Sequence, residues 1–147
     1  MGDRTLERTA EQVTASSVTS DFNAACVSVE EDSGGWLVGF ADSEFGARRY
    51  LRLHRAKSPH AQDVELGLDG YHVEVDDPSQ SCHGGIACFE LFRDRAVVAF
   101  DADAAPVLGG RKAIVVAFAL RARQLDQLRA CLARIFKDDE CFLDRSA

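Results

Sequence analysis

The sequence predicts an α+β fold: a mostly antiparallel β-sheet of about six to eight strands, with one C-terminal amphipathic helix packed on it. Three observations carry this. Short segments of apolar–polar alternation follow one another from Phe22 to Asp103, separated by turn-forming residues. Lys112–Leu120 is nearly all apolar, as in a central strand covered on both faces. From Leu125 the apolar spacing changes to three and four, the period of a helix.

The elements follow in order. Residues 1–21 are polar and weakly periodic, and read as an N-terminal arm; residues 22–147 read as one domain. "FNAACVSVEED" alternates through Val27 and Val29 and predicts a strand. After the turn "SGG", Trp36–Asp42 is a second strand, and Ala47–Ala56 a third after "SEFG". In the third, Tyr50, Leu51 and Leu53 are apolar, while Arg48, Arg52 and His54 take the other phase. "KSPHAQ" and the Pro/Gly-rich "DDPSQSCHGG" are loops. Ile86–Asp94 and Arg95–Asp103 predict a strand pair, and "APVLGG" another loop. In the final helix Leu125, Leu128, Leu132, Ile135 and Phe136 make one apolar stripe. The acidic tail "KDDECFLDRSA" carries an apolar "CFL" suited to docking locally. Trp36, Phe40, Tyr50, Phe89, Phe92, Phe100 and Phe118 fall on strands and are most simply core.

Between the third strand and the later pair lies "QDVELGLDGYHVEVDD", Gln62–Asp77, with six carboxylates and no lysine or arginine. Asp69–Gly70 is a strong two-residue turn signal. A hairpin about it sets Leu68 opposite Tyr71, Leu66 opposite Val73 and Val64 opposite Val75, one apolar face. The same register opposes Glu65 to Glu74 and Asp63 to Asp76, like charges that cost stability. The basic strand with Arg48, Arg49, Arg52 and Arg55, a cation, or a basic partner would offset that cost. The alternative is a loop over Gln62–Leu68, in which these carboxylates never meet.

Composition excludes several classes. Seventeen Lys and Arg against 24 Asp and Glu give a net charge of −7, so a nucleic-acid partner is not expected. No apolar run approaches the roughly 20 residues that span a bilayer, so no membrane association is expected. The polar start lacks the apolar core of a secretory signal. Five cysteines, irregularly spaced and without C-x-x-C, read as reduced thiols in a cytoplasm. Cys26, Cys88 and Cys131 have apolar neighbours and read as small core residues.

Chemical sites are poorly supported. Cys82 with His72 or His83 would be a nucleophile–base pair, but "SCHGG" matches no nucleophile signature. Glu65 and Glu74 would be an acid–base pair, yet solvated carboxylates are far commoner. His72, His83, Cys82 and Cys88 lack the short-spaced pairs of a zinc site. None of the glycine turns is a phosphate loop. No cofactor, metal or catalytic residue is therefore expected.

The order of motifs carries a resemblance. "GFADSEFGARRYLRLHR", "QDVELGLDGYHVEV", "QSCHGGI" and "LRACLARIF" together resemble the immunity protein 10 family of bacterial polymorphic toxin systems, over about residues 22–136. Its most specific parts fall on Gln62, Asp63, Glu65, Gly67, Asp69, Tyr71 and Glu74, then on Ser81, Gly84, Gly85 and Ile86. The resemblance implies a cytoplasmic, non-enzymatic protein that binds and neutralises a cognate toxin, often a nuclease or another enzyme with a charged cleft. On that reading Asp63, Glu65, Asp69, Glu74, Asp76 and Asp77 are candidate contacts with a basic toxin, and the chain is a monomer or homodimer. Asp63 is also a candidate anchor for the backbone of the "SCHGGI" loop. The competing reading is a small enzyme or ligand-binding domain built on Tyr71–Glu74 and Ser81–Gly85.

Overall fold

A computed structural model describes residues 19–66 and 69–147; the N-terminal arm to residue 18, Gly67 and Leu68 lie outside the described residues. The described chain forms ten strands in two five-stranded sheets, one short helix and one C-terminal helix, an α+β fold.

The first sheet is an antiparallel meander: β2 (Cys26–Glu31), β3 (Gly35–Ala41), β4 (Tyr50–Ala56), β5 (Tyr71–Val75) and β6 (Ser81–His83). Alternation decides its two faces, because successive side chains point to opposite sides of a strand. Val38, Phe40, Leu51, Leu53, Tyr71, Val73 and Val75 are buried on one face. Leu37, Arg52, His54, His72 and Glu74 occupy the other phase. The second sheet runs β1 (Phe22–Asn23), β9 (Ala113–Ala117), β8 (Arg95–Phe100), β7 (Ile86–Leu91) and β10 (Phe142–Asp144). Its two edge strands are parallel to their neighbours; the inner pairs are antiparallel.

Helix α1 (Ala61–Glu65) sits between β4 and β5, and helix α2 (Ala122–Ile135) follows β9. At the start of α2 the Gln124 side chain accepts the Arg121 backbone N–H at 2.9 Å, satisfying one group the helix cannot. Leu128, Cys131, Leu132 and Ile135 bury the expected stripe. Just beyond, Phe136 joins the layers: its ring lies 4.9 Å from Tyr71 of the first sheet and 5.5 Å from Phe89 of the second. Such aromatic contacts add about 0.5–1.5 kcal/mol beyond area burial.

Several expectations hold. β9 sits inside its sheet, with Ile114, Val115 and Val116 all buried. The "CFL" tail docks, as β10 alongside β7. Phe40, Phe89, Phe100, Phe118 and Cys131 are core. Others need correction. The first predicted strand breaks at Ala24–Ala25, and its halves join different sheets. Trp36, Tyr50, Phe92, Cys26 and Cys88 are only half-buried. The "DDPSQSCHGG" loop contains the short strand β6.

The Gln62–Asp77 hairpin does not form. Residues Ala61–Glu65 are helical, and β5 pairs with β4, so Arg52 rather than Glu65 stands opposite Glu74. The physical reason is charge: the basic strand turns a like-charge row into an opposite-charge pair. Val64 and Leu66, expected opposite Val75 and Val73, are 52% and 62% exposed. The expected pairing of Leu68 lies outside the described residues, but Tyr71 stands opposite Arg55.

Candidate partner-binding face

The six carboxylates of Gln62–Asp77 divide into two groups. Glu74 projects from β5 and is only 13% exposed; its carboxylate accepts the Tyr50 hydroxyl and lies 4.0 Å from Arg52 Nη1. Burial and this carboxylate together raise the Tyr50 hydroxyl pKa. Asp76 closes the β4–β5 pair. Its side chain, 15% exposed, accepts the Tyr50 backbone N–H at 2.9 Å, Arg49 Nε at 2.9 Å and Arg111 Nη1 at 3.1 Å. Its backbone is left-handed, φ 64°, a conformation aspartate tolerates better than most residues. Asp77 binds only its own turn, accepting Ser79 N at 2.8 Å and Ser79 Oγ at 2.7 Å; these bonds hold its carboxyl below the usual range.

Asp63, Glu65 and Asp69 belong to the excursion between β4 and β5. Helix α1 there buries none of its residues. Glu65 and Val64 are exposed and Asp63 is partly so, and Leu66 follows them at the surface. Asp69 borders an open notch of about 330 Å³, whose other acids are Asp138 and Asp139. The arginine in that notch, Arg55, which shares it with His83, is already engaged: it donates to Ile135 O at 3.0 Å and pairs with Asp138 at 3.0 Å. A guanidinium on the last carbonyls of α2 is a favourable C-terminal cap.

Of the candidate motif residues, Tyr71, Gly84 and Gly85 shape the crossover between the sheets. The Tyr71 hydroxyl accepts the buried Ile86 N–H at 2.9 Å, so Tyr71, not Asp63, anchors the loop that leads into β7. Gly84 donates its N–H to Tyr71 O at 2.9 Å. Gly85 has φ +93°, and a Cβ there would stand 2.6 Å from Ala104 Cβ. Ser81 Oγ donates to Pro78 O at 3.1 Å. Gln62 is exposed, and Gly67 lies outside the described residues.

The catalytic alternative loses its nucleophile. His72 stands opposite His83 across β5–β6, whereas Cys82 stands opposite Val73, in the other phase. Cys82 Sγ donates to Gly84 O at 3.4 Å, and burial raises its pKa, with Asp101 adding to the effect. A neutral thiol pointing away from the imidazoles is not an activated nucleophile. Among the described residues, no group of three His, Cys, Asp or Glu side chains stands together as a ready metal site. Nor is any described helix long and apolar enough to cross a membrane.

The family model described as Immunity protein 10 matches residues 22–126. The chain belongs to the Immunity protein 10 family. No curated protein and no solved structure matches it. The family match begins at β1 and runs into the first turn of α2. In this immunity-family chain it therefore contains both Tyr71, whose hydroxyl ties the two sheets, and Asp76, which braces β4 against β5 and binds Arg111. The partners of those residues, Tyr50, Arg49 and Arg111, were less legible. Only the basic character of Arg48–Arg55 pointed to them, and Arg111 had no sequence signal.

Proposed function

We propose that this chain is a non-enzymatic immunity protein that binds and neutralises a cognate toxin, meeting a basic toxin surface with the ledge around α1. The family is one support. The observation that carries the docking face is a helix that buries nothing, displaying Val64 and Leu66 among Asp63, Glu65 and Asp69. An isolated five-residue helix gains nothing from the core, and exposed apolar side chains ringed by charge are typical of contact surfaces. The carboxylates left free of the sheet supply complementarity to a cationic cleft such as a nuclease uses for its substrate. The setting is the cytoplasm, in keeping with five unpaired thiols.

The test is co-expression with the toxin domain encoded beside this chain. The expected result is rescued growth and a complex on a sizing column. Absence of both rescue and a complex would overturn the proposal.

A further inference from the structure

We propose that His72 and His83 form a binding site for a borderline divalent transition-metal ion, such as Zn²⁺, Cu²⁺ or Ni²⁺, on the open face of the first sheet, with His54 as the added ligand. The inference does not rest on toxin binding. It comes from register: β4–β5 pairing sets His54 opposite His72, and β5–β6 pairing sets His72 opposite His83. Three imidazoles thus share one row of one face. No short ligand spacing in the sequence announces this, because the row is assembled by pairing between strands.

The His72 and His83 ring centroids lie 5.0 Å apart. Two imidazoles on one ion, each N–metal bond about 2.0–2.1 Å at a tetrahedral angle, put their ring centres roughly 5 Å apart. The observed pair therefore matches chelation with little rearrangement. His54 is not in place with them, consistent with the lack of a ready three-donor group. Directly opposed residues have Cα atoms about 4.5–5.5 Å apart, so a side-chain rotation brings its ring to the same ion.

The surroundings favour this donor set. His54 and His72 are half-buried and His83 is exposed, so an ion has access. Glu74, two residues from His72 on the same face, is held by Tyr50 and Arg52 and does not compete. Cys82 faces the other way, leaving an all-imidazole site that suits zinc, copper or nickel over magnesium or calcium. The remaining coordination positions face away from the sheet, open to water or a partner's side chain.

The experiment is equilibrium dialysis of the tag-free full chain against Zn²⁺ and Ni²⁺ in reducing buffer. One ion per chain is expected. His72→Ala and His83→Ala should each weaken binding by at least the roughly tenfold that loss of an outer-shell partner costs, and His54→Ala should weaken it less. His60→Ala and Cys82→Ser should leave it unchanged. Paramagnetic Ni²⁺ should broaden the His72 and His83 ring signals of the wild-type chain before those of His60, which reads the site without any substitution. Absent binding, retention of wild-type affinity by His83→Ala, or broadening that starts at His60 would overturn the proposal.

Discussion

The Tyr71 hydroxyl accepts the backbone N–H of Ile86 at 2.9 Å, tying β5 of one sheet to the start of β7 in the other. The N–H is buried and the tyrosine ring packs edge-on against Phe136. Tyr71→Phe keeps the ring and removes the acceptor. An unsatisfied buried donor costs about 1–3 kcal/mol, so urea unfolding should show that loss with an unchanged slope. An unchanged midpoint would mean water replaces the hydroxyl and the clasp contributes nothing.

Asp76 should separate geometry from charge. Asp76→Asn keeps an oxygen for the Tyr50 N–H and suits the left-handed backbone, but loses two ion pairs with partly exposed arginines. Asp76→Ala loses all three contacts. Thermal unfolding should rank wild type above Asp76→Asn above Asp76→Ala, the last lower than wild type by about 2–4 kcal/mol. Equal midpoints for the two variants would show that charge alone matters there.

These two residues also mark the limit of what the sequence revealed. Alternation found β2, β3, β4, β5, β7 and β8, a continuous apolar run found β9, and the three-and-four spacing found α2, because core burial imposes those patterns directly. Alternation failed at Gln62–Leu66, where Val64 and Leu66 alternate but face solvent. A local turn signal at Asp69–Gly70 was outweighed by pairing of β5 with β4, a contact between segments separated by the whole excursion. The acidic residues were visible as a group. Their division was not, because Arg111 reaches Asp76 from 35 positions away and leaves no periodic trace.

The tail gives a pH dependence. Burial pushes the Asp144 carboxyl up, but the Ser146 hydroxyl and N–H, with Arg129 at 2.7 Å, outweigh it and hold it below the usual range. A folded-state pKa below the unfolded one means stability that is present above the unfolded value and lost as pH falls through the folded one. Wild type should therefore exceed Asp144→Asn in stability at neutral pH, with the gap closing below about pH 4. A gap that stays constant to pH 2.5 would contradict this origin.

Thiol reactivity should report packing. Burial raises the pKa of Cys131 to about 11 and, with Asp139 adding to the effect, that of Cys141 to about 12. Both are buried and protonated at pH 8, so a disulfide reagent should modify them slowly in the folded chain and fast once it unfolds. Fast modification of either in the folded chain would place it at the surface.

Tyr71 ties the two sheets and Glu74 and Asp76 brace β4 against β5, whereas the ledge at Asp63 and Glu65 is the face proposed to meet the toxin. The direct measurement is calorimetric titration of the toxin domain encoded beside this chain into Asp63→Lys/Glu65→Lys, paired with an unfolding curve. Affinity should weaken on the order of tenfold or more, more steeply at low salt, with an unchanged unfolding midpoint. Wild-type affinity with both charges reversed would contradict it.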